Sequence, residues 1–520
     1  MLSAMTRYLL TGACLIILVW GVYSQTRQFD FVEFDDPQLI TENGFVRQGV
    51  TPEGVKWALF SAWRENVFYY PLSLLSHMAD VTWFGLNAGR HHLTSVALHA
   101  AVAVSFFGLL VQVSGAFWRP ALAAALFAVH PLGVDSVAWV AERSNLLCAL
   151  LVIASLWAFA RFKAGSGKSG YMLSLGLFFL ALSAKPTAVM MPLVLWLCRR
   201  PPESTAIPVI HHRSAALRHL MELSPFLMLA ALRLTAVLTA GQGASPVTAA
   251  ESMTFGTLVA NAVTSVTAYL VDVFYPFQLS VYYPFPVSIP LWQPLLSGLL
   301  LLIISVAAFI YRRRRPMTWM GWLWFLIFLM PSFGVIRSGP WPARADHYVY
   351  IPLMGLLSAL VWLVPIQASG SLRRKMTAGF GAVVLLTYLG TAAVKHAGHY
   401  RDSETLFSRA LTLNADNFLA CIELGNAYRR QNRMDLAEKY FRQAVTIKPD
   451  SPGAHNNLGL VLSAKGNWTE AESHFKAALA LCPGFSPARS NLANLYLKQR
   501  RTANKPAGRH DADIVSPAEQ

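Results

Sequence analysis

Apolar residues come in blocks along this chain. The first, 8–24, reads YLLTGACLIILVWGVYS without a charge, and further blocks follow at 92–113, 120–138, 146–162, 171–184, 187–197, 221–240, 291–311, 317–333, 349–365 and 379–394. Most approach the roughly 20 residues that a helix needs to cross a hydrocarbon core. Backbone groups in lipid must be satisfied internally, and these blocks are too long and too uniformly apolar for barrel strands. The pattern predicts an all-α, polytopic membrane domain of about eleven spans. The blocks at 171–184 and 187–197 are short, and a tight hairpin broken at SAKPT is expected there, because Pro186 prevents a straight helix. One more segment, 255–275, is less apolar and carries Asn261 and Asp272. It is expected to lie on or dip into the outer face instead of crossing.

After Val394 the period changes. Leu424, Gly425, Tyr428, Ala437, Phe441, Ala444 and Pro449 recur, one 34-residue tetratricopeptide repeat later, as Leu458, Gly459, Leu462, Ala471, Phe475, Ala478 and Pro483. Small residues let the two helices of each unit approach, and proline ends the second. A half repeat with Phe407 and Ala410 in register precedes them, and a third begins at Ser486. The expected organisation is a membrane domain over 1–396, with 25–90 as its first outer loop, a short repeat superhelix over 397–500 and a disordered polar tail over 501–520.

Composition agrees with the pattern. The 520 residues are 54% hydrophobic and 13% charged, against about 25% charged in a soluble domain. The net charge of +16 would suggest nucleic acid in a soluble protein. Here the basic residues gather in RFKAGSGK, CRRPP…HHRSAALRH, YRRRRP and SLRRK, short loops between spans, as the positive-inside rule expects. No nucleic-acid partner is implied. Cys14, Cys148, Cys198, Cys421 and Cys482 show no metal spacing and no disulfide framework. The first block reads as an uncleaved signal anchor.

Putting the four basic loops in the cytoplasm places the N-terminus inside and the repeats outside. The outer face then receives FDD, VDSVAWVAERSN, SAKP, FYPFQLSVYYPFP and ARADHYVYIP. Ionisable groups at membrane depth are costly and are usually retained for function. Asp35 and Asp36 alone read as a turn, since Asp-Pro is a turn signal. Their flanks, Phe29, Phe31, Phe34, Leu39 and Ile40, argue for a base, because apolar surroundings raise a carboxylate's pKa. Arg143 suits a phosphate through its planar fork, or serves as an interfacial anchor. Arg344 and His347 add donors and Asp346 a carboxylate, and Lys185 in its break calls for a charged partner. His77, His91, His92, His99 and His130 read as packed, hydrogen-bonded histidines, and no metal site is expected. A carboxylate base with cationic phosphate binders suits inverting transfer of a sugar from a lipid phosphate.

The stretches FVEFDDPQLITENGFV, LFAVHPLGVDSVAWVAERSNLL, LSAKPTAVMMP and ADHYVYIPLMGL, with the repeats, together resemble bacterial relatives of the transmembrane and tetratricopeptide-repeat protein O-mannosyltransferases, which are GT-C membrane glycosyltransferases. The resemblance implies a catalytic acidic pair at Asp35 and Asp36 and a polyprenyl-phosphate sugar as donor substrate, without a cofactor. It implies an acceptor Ser/Thr of a protein and work on the periplasmic face of the inner membrane. Arg143, Lys185, Arg344 and His347 are the expected donor-phosphate binders; Asp135, Glu142, Asp346 and Tyr348 shape the site. Departures are Asn145 in place of the family's Asp, Ser144 in place of Lys and His347 in place of Arg. In the repeats, Asn457 and Asn491 fall at equivalent positions and resemble an asparagine ladder that grips a peptide backbone. The competing readings are a non-catalytic membrane scaffold for envelope assembly and a transporter. A transporter would place polar residues on both sides of the midplane.

Overall fold

The computed structural model describes residues 3–62, 70–197, 212–240, 254–286, 288–333, 342–364 and 372–503. It is helical throughout, with one isolated β-bridge between Tyr283 and Arg344 among the described residues. Two compact units divide at Ala415 and Asp416.

The first unit opens with α1 (Ala4–Tyr23), α2 (Pro52–Phe60), α3 (Pro71–Phe84), α4 (Ala88–Ser114), α5 (Trp118–Val129), α6 (Val134–Ala138), α7 (Arg143–Lys163) and α8 (Lys168–Ala184). It continues with α9 (Met191–Leu197), α10 (His212–Ala240), α11 (Phe255–Phe274), α12 (Trp292–Ile310), α13 (Pro316–Leu329), α14 (Tyr350–Leu363), α15 (Leu372–Ala397) and α16 (Ser403–Leu413). Local chemistry sets the ends. Asn87 caps α4 by accepting the N–H of Arg90, and Gly115 closes that helix at φ +64, a left-handed conformation that glycine adopts without a Cβ clash. Pro131 stops α5, and the chain bends by 61° before running on through α6.

Among the described residues, eight helices are long and apolar enough to cross a membrane by length and composition: those built on α1, α4, α7, α10, α11, α12, α14 and α15, or nine if the bent pair around Pro131 counts as one span. Lys168–Ala184 and Pro186–Leu197 are shorter apolar helices, and α13 gives way after Leu329 to a tight turn, Met330–Phe333. The stretch at 187–197 forms no hairpin with α8. Instead α8 lies along α7, joined by the hydroxyl of Ser155 donating to the carbonyl of Ser174 at 2.6 Å. The chain beyond Pro186 packs on α10 and α13.

The segment 255–275, expected to lie on or dip into the outer face, is one continuous helix from Phe255 to Phe274. It forms α11, which meets the same length and composition test as the other spans. Its polar residues lower the mean apolarity, but Asn261, Ser265, Tyr269 and Asp272 fall on one buried stripe, as the helical period dictates. Asn261 donates to the carbonyl of Ala343 at 2.8 Å, and Tyr269 to that of Ala345 at 2.7 Å. Polarity here marks an inward face.

Small residues set one close helix contact. Gly321 on α13 and Gly355 on α14 lie backbone to backbone, and a Cβ on either would strike the carbonyl of the other. This is the close approach that glycine permits between membrane helices.

The second unit holds α17 (Phe418–Arg430), α18 (Met434–Ile447), α19 (Pro452–Ala464), α20 (Trp468–Leu481) and α21 (Ser486–Ala503). A Cβ on Gly425 would meet the ring of Phe441 at 2.5 Å, and one on Gly459 the ring of Phe475 at 2.7 Å. These glycines let each helix pair close over a buried phenylalanine, as the repeat pattern predicts. The half repeat around Phe407 is α16, which packs within the first unit. Its Ser403 hydroxyl accepts the N–H of Glu33 at 2.8 Å. The polar tail expected from Arg501 begins as the end of α21, and 504–520 lie outside the described residues.

Candidate active site

The stretch FDFVEFDD folds onto the ends of several helices through its aromatic residues. Phe29 meets the ring of His92, Phe31 that of His91, and Phe34 stacks on Trp139 with ring centroids 5.4 Å apart. The backbone follows: Asp30 donates its N–H to the carbonyl of Arg401 at 2.9 Å. After Asp36 the chain turns through a single π-helical turn, Pro37–Thr41.

The two aspartates then part company. Asp36 is fully buried, and its carboxylate accepts the N–H of Val32 at 2.7 Å and that of Ala141 at 2.9 Å. Burial pushes it up to about 7, while these donors and Arg143 pull it down. Asp35 is partly exposed, and its side chain has no hydrogen-bond partner among the described residues. Burial raises it to about 7 as well; Glu142 and Asp135 raise it further, and His347 and Lys185 oppose them.

Those four groups form a connected array. Lys185 lies 2.7 Å from Oε2 of Glu142, which also accepts from the Asn145 amide at 2.7 Å. Oε1 of Glu142 is 3.6 Å from Nε2 of His347. Nδ1 of His347 is 2.8 Å from Oδ2 of Asp135, and the His347 N–H donates to the same oxygen at 2.9 Å. Oδ1 of Asp135 accepts from the Tyr400 hydroxyl at 2.8 Å. His347 therefore sits between two carboxylates, edge-on to Trp139 and Tyr348.

Arg143 lies apart from this array. It is fully buried and pairs with Asp80 at 2.6 Å, while its remaining N–H groups reach Ser76, Ser95 and the carbonyl of His91. A guanidinium has five N–H donors, and these contacts occupy them, so the expectation that Arg143 holds a donor phosphate is corrected. Its role is to anchor the start of α7 to α3 and α4. Arg344 is likewise committed: it pairs with Asp272 and lies over the ring of Tyr283 at 3.9 Å. Tyr283 donates to Asp346 at 3.0 Å. Asp346 is fully buried, one residue from His347, and joins the two groups of charges.

All five stretches singled out from the sequence thus converge at one end of the bundle. A partner outside those stretches is Asp80, which had a signal as a lone acid in an apolar helix. His91, His92, His99 and His130 are packed and bonded to carbonyls as expected; His77 is buried too, but neither of its ring nitrogens has a hydrogen-bond partner among the described residues. Among the described residues no group of three or more His, Cys, Asp or Glu side chains is arranged to hold a metal ion. At the opposite end of α7, an apolar cavity of about 370 Å³ lies among Phe106, Leu110, Phe159, Val194, Met320 and Met354.

In the repeats, Asn491 donates to Asn456 at 2.8 Å, and Asn456 donates to Asn457 at 3.3 Å. The two expected ladder residues are thus bridged by a third, buried asparagine.

Residues 418–484 match the tetratricopeptide repeat family. Protein O-mannosyl-transferase TMTC4 of Homo sapiens is 30% identical over 171 residues, 28% of this chain and 22% of that protein. Protein O-mannosyl-transferase TMTC1 of Mus musculus is 30% identical over 151 residues, 27% of this chain and 15% of that protein. Protein O-mannosyl-transferase TMTC2 of Mus musculus is 28% identical over 171 residues, 30% and 20% of the two chains. The chain thus matches between 15% and 22% of the length of these curated relatives.

Proposed function

Because the chain is a distant relative of these protein O-mannosyl-transferases and carries tetratricopeptide repeats, we propose that it is a membrane glycosyltransferase of the GT-C type. It moves a sugar, mannose by resemblance, from a polyprenyl phosphate to a hydroxyl of a protein Ser or Thr. The work is done on the periplasmic face of the inner membrane, with the N-terminus cytoplasmic, and needs no metal or cofactor.

One observation carries the reading: Asp35, next in the chain to the anchored Asp36, is a carboxylate without a hydrogen-bond partner among the described residues, raised to about 7 by burial, and Lys185 and His347 are among the charges that act on it. A general base works best with a pKa near the operating pH. Asp35 takes the proton from the acceptor hydroxyl. The acceptor oxygen then bonds to the anomeric carbon as that carbon's bond to the phosphate oxygen breaks, and the lipid phosphate leaves with the electron pair. A single displacement inverts the anomeric centre. Lys185 stabilises the charge on the leaving phosphate, Asp36 fixes the loop, and Asp135, Glu142 and Tyr348 hold His347 in place. The repeats hold the acceptor polypeptide, with the Asn457 amide and the Asn491 carbonyl available to its backbone.

The commitment of Arg143 and Arg344 to internal partners favours a second reading, a membrane-anchored repeat scaffold without catalysis. Reconstitution with a panel of polyprenyl-phosphate sugars separates the two. The enzyme releases lipid phosphate from one donor only when an acceptor peptide is present. Absence of release from every donor would leave the scaffold.

A further inference from the structure

The apolar cavity of about 370 Å³ at the far end of α7 plays no part in the proposed chemistry. It lies between two helix pairs, α4 with α7 and α13 with α14, and α9 borders it. Leu110, Phe159, Val194, Met320 and Met354 are among its walls. Packed interiors hold few voids larger than a water molecule. A void with apolar walls offers water no hydrogen bonds. Inside a bilayer, the apolar matter at hand to fill it is lipid chain.

The bland reading is a gap filled by any hydrocarbon. The polar groups at the end of the cavity argue for a more specific occupant. Lys163, in the last turn of α7, stands on the wall. Ser358 of α14 is another wall residue, and one helical turn beyond it two arginines gather on the end of α14. Arg315, at the start of α13, donates to the carbonyl of Trp362 at 2.9 Å. Arg119, in the first turn of α5, donates to the carbonyl of Val364 at 3.2 Å and lies 6.0 Å from the centre of the Trp362 ring. Lys163 is answered by Glu222 at 2.9 Å. Arg119 and Arg315 meet backbone oxygens instead, and the Nε of Arg119 is buried without a partner. Basic residues at the ends of spans are ordinary anchors. Here two of them, held by one stretch of backbone and left without a carboxylate, stand where an apolar cavity ends.

We propose that this cavity holds one acyl chain of an anionic phospholipid, whose phosphate sits at Arg119 and Arg315. Each guanidinium has five N–H donors and keeps several beyond those given to the carbonyls. Its planar fork suits two oxygens of one phosphate. The chain then lies between the two helix pairs, where it replaces contacts that an empty cavity lacks. The site lies at the other end of α7 from Glu142 and does not depend on the glycosyl-transfer reading.

The test is mass spectrometry of the intact full chain released from nanodiscs that hold phosphatidylglycerol and phosphatidylcholine in equal amounts. Wild type is expected to keep one phosphatidylglycerol, preferred about tenfold over phosphatidylcholine. Ala160→Trp and Ser358→Leu fill the cavity from two sides and are expected to lose the retained lipid. The double variant Arg119→Gln, Arg315→Gln is expected to keep a lipid and lose the preference. Thermal unfolding identifies the folded variants, and the arginine variant carries the test if neither cavity-filled variant folds. Retention of lipid by a folded cavity-filled variant at the wild-type level overturns the proposal. So does an unchanged preference in the arginine variant, or a wild type that keeps no lipid or both lipids equally. Polyprenyl phosphate retained in place of phosphatidylglycerol, when both are supplied, also overturns it, since the cavity then belongs to a different lipid.

Discussion

Asp36 accepts the backbone N–H of Ala141 at 2.9 Å, across a separation of more than a hundred residues in the chain. This bond ties the first loop to the turn that launches α7. Both carboxylate oxygens of Asp36 are engaged by backbone donors, and under the proposed function the base is its neighbour, Asp35.

Stability should therefore distinguish the pair. Asp36→Asn replaces one acceptor oxygen with an NH2 group facing a backbone N–H. A buried donor left without an acceptor costs about 1–3 kcal/mol, so unfolding of the purified protein should shift downward accordingly. Asp35→Asn breaks no hydrogen bond among the described residues and removes a buried charge, so it should unfold no lower than wild type.

The pH dependence has a definite sign. Asp35 and Asp36 are both lifted from 3.8 to about 7 in the folded chain. Between these values the folded state holds protons that the unfolded state has released. This contribution to stability is complete below the unfolded pKa and is lost as pH rises through about 7. Turnover runs the other way, because the base must be ionised. Rate should climb tenfold per pH unit below about 7 and level off above it. The two carboxylates influence one another, so the midpoint belongs to the pair. A rate independent of pH from 5 to 8 would remove Asp35 from the chemistry.

Arg143 and Asp80 are expected to behave as a structural pair. Removing one partner of a buried ion pair costs about 3–5 kcal/mol. Asp80→Ala should therefore lower the unfolding temperature in detergent as much as Arg143→Ala does. Whatever folded protein remains should keep its apparent affinity for the donor. A selective rise in donor KM with Arg143→Lys, at unchanged stability, would return the arginine to the phosphate.

Much of this architecture is legible in the sequence, for identifiable reasons. Long apolar blocks announce helices, and the repeat spacing gives the helix pairs closed by Gly425 and Gly459. The stretches around Asp35, Glu142, Lys185 and Asp346 stand out because charge is rare beside lipid. Mean apolarity misleads at α11, where the polar residues from Asn261 to Asp272 lie on one stripe and serve the inside. Partnership is invisible in the same way. Nothing in ERSN indicates that Arg143 turns to Asp80 while its neighbour Glu142 turns to Lys185, because adjacent residues on a helix diverge by about 100°.

The repeats offer an independent check. Asn456 joins Asn457 to Asn491. Asn456→Ala should uncouple them and weaken binding of an extended acceptor peptide by the full chain about fivefold, on the order of one hydrogen bond. It should leave turnover of a minimal acceptor unchanged. Equal peptide binding by the variant, measured by fluorescence anisotropy, would remove the asparagines from acceptor recognition.

The most direct measurement is the rate of lipid-phosphate release by the reconstituted full chain with its preferred polyprenyl-phosphate sugar and an acceptor peptide, comparing wild type with Asp35→Asn. Loss of a general base predicts a fall of about 10²-fold or more, with an unfolding temperature no lower than that of wild type and unchanged binding of polyprenyl phosphate. Release by Asp35→Asn at the wild-type rate would contradict the assignment of Asp35 as the base.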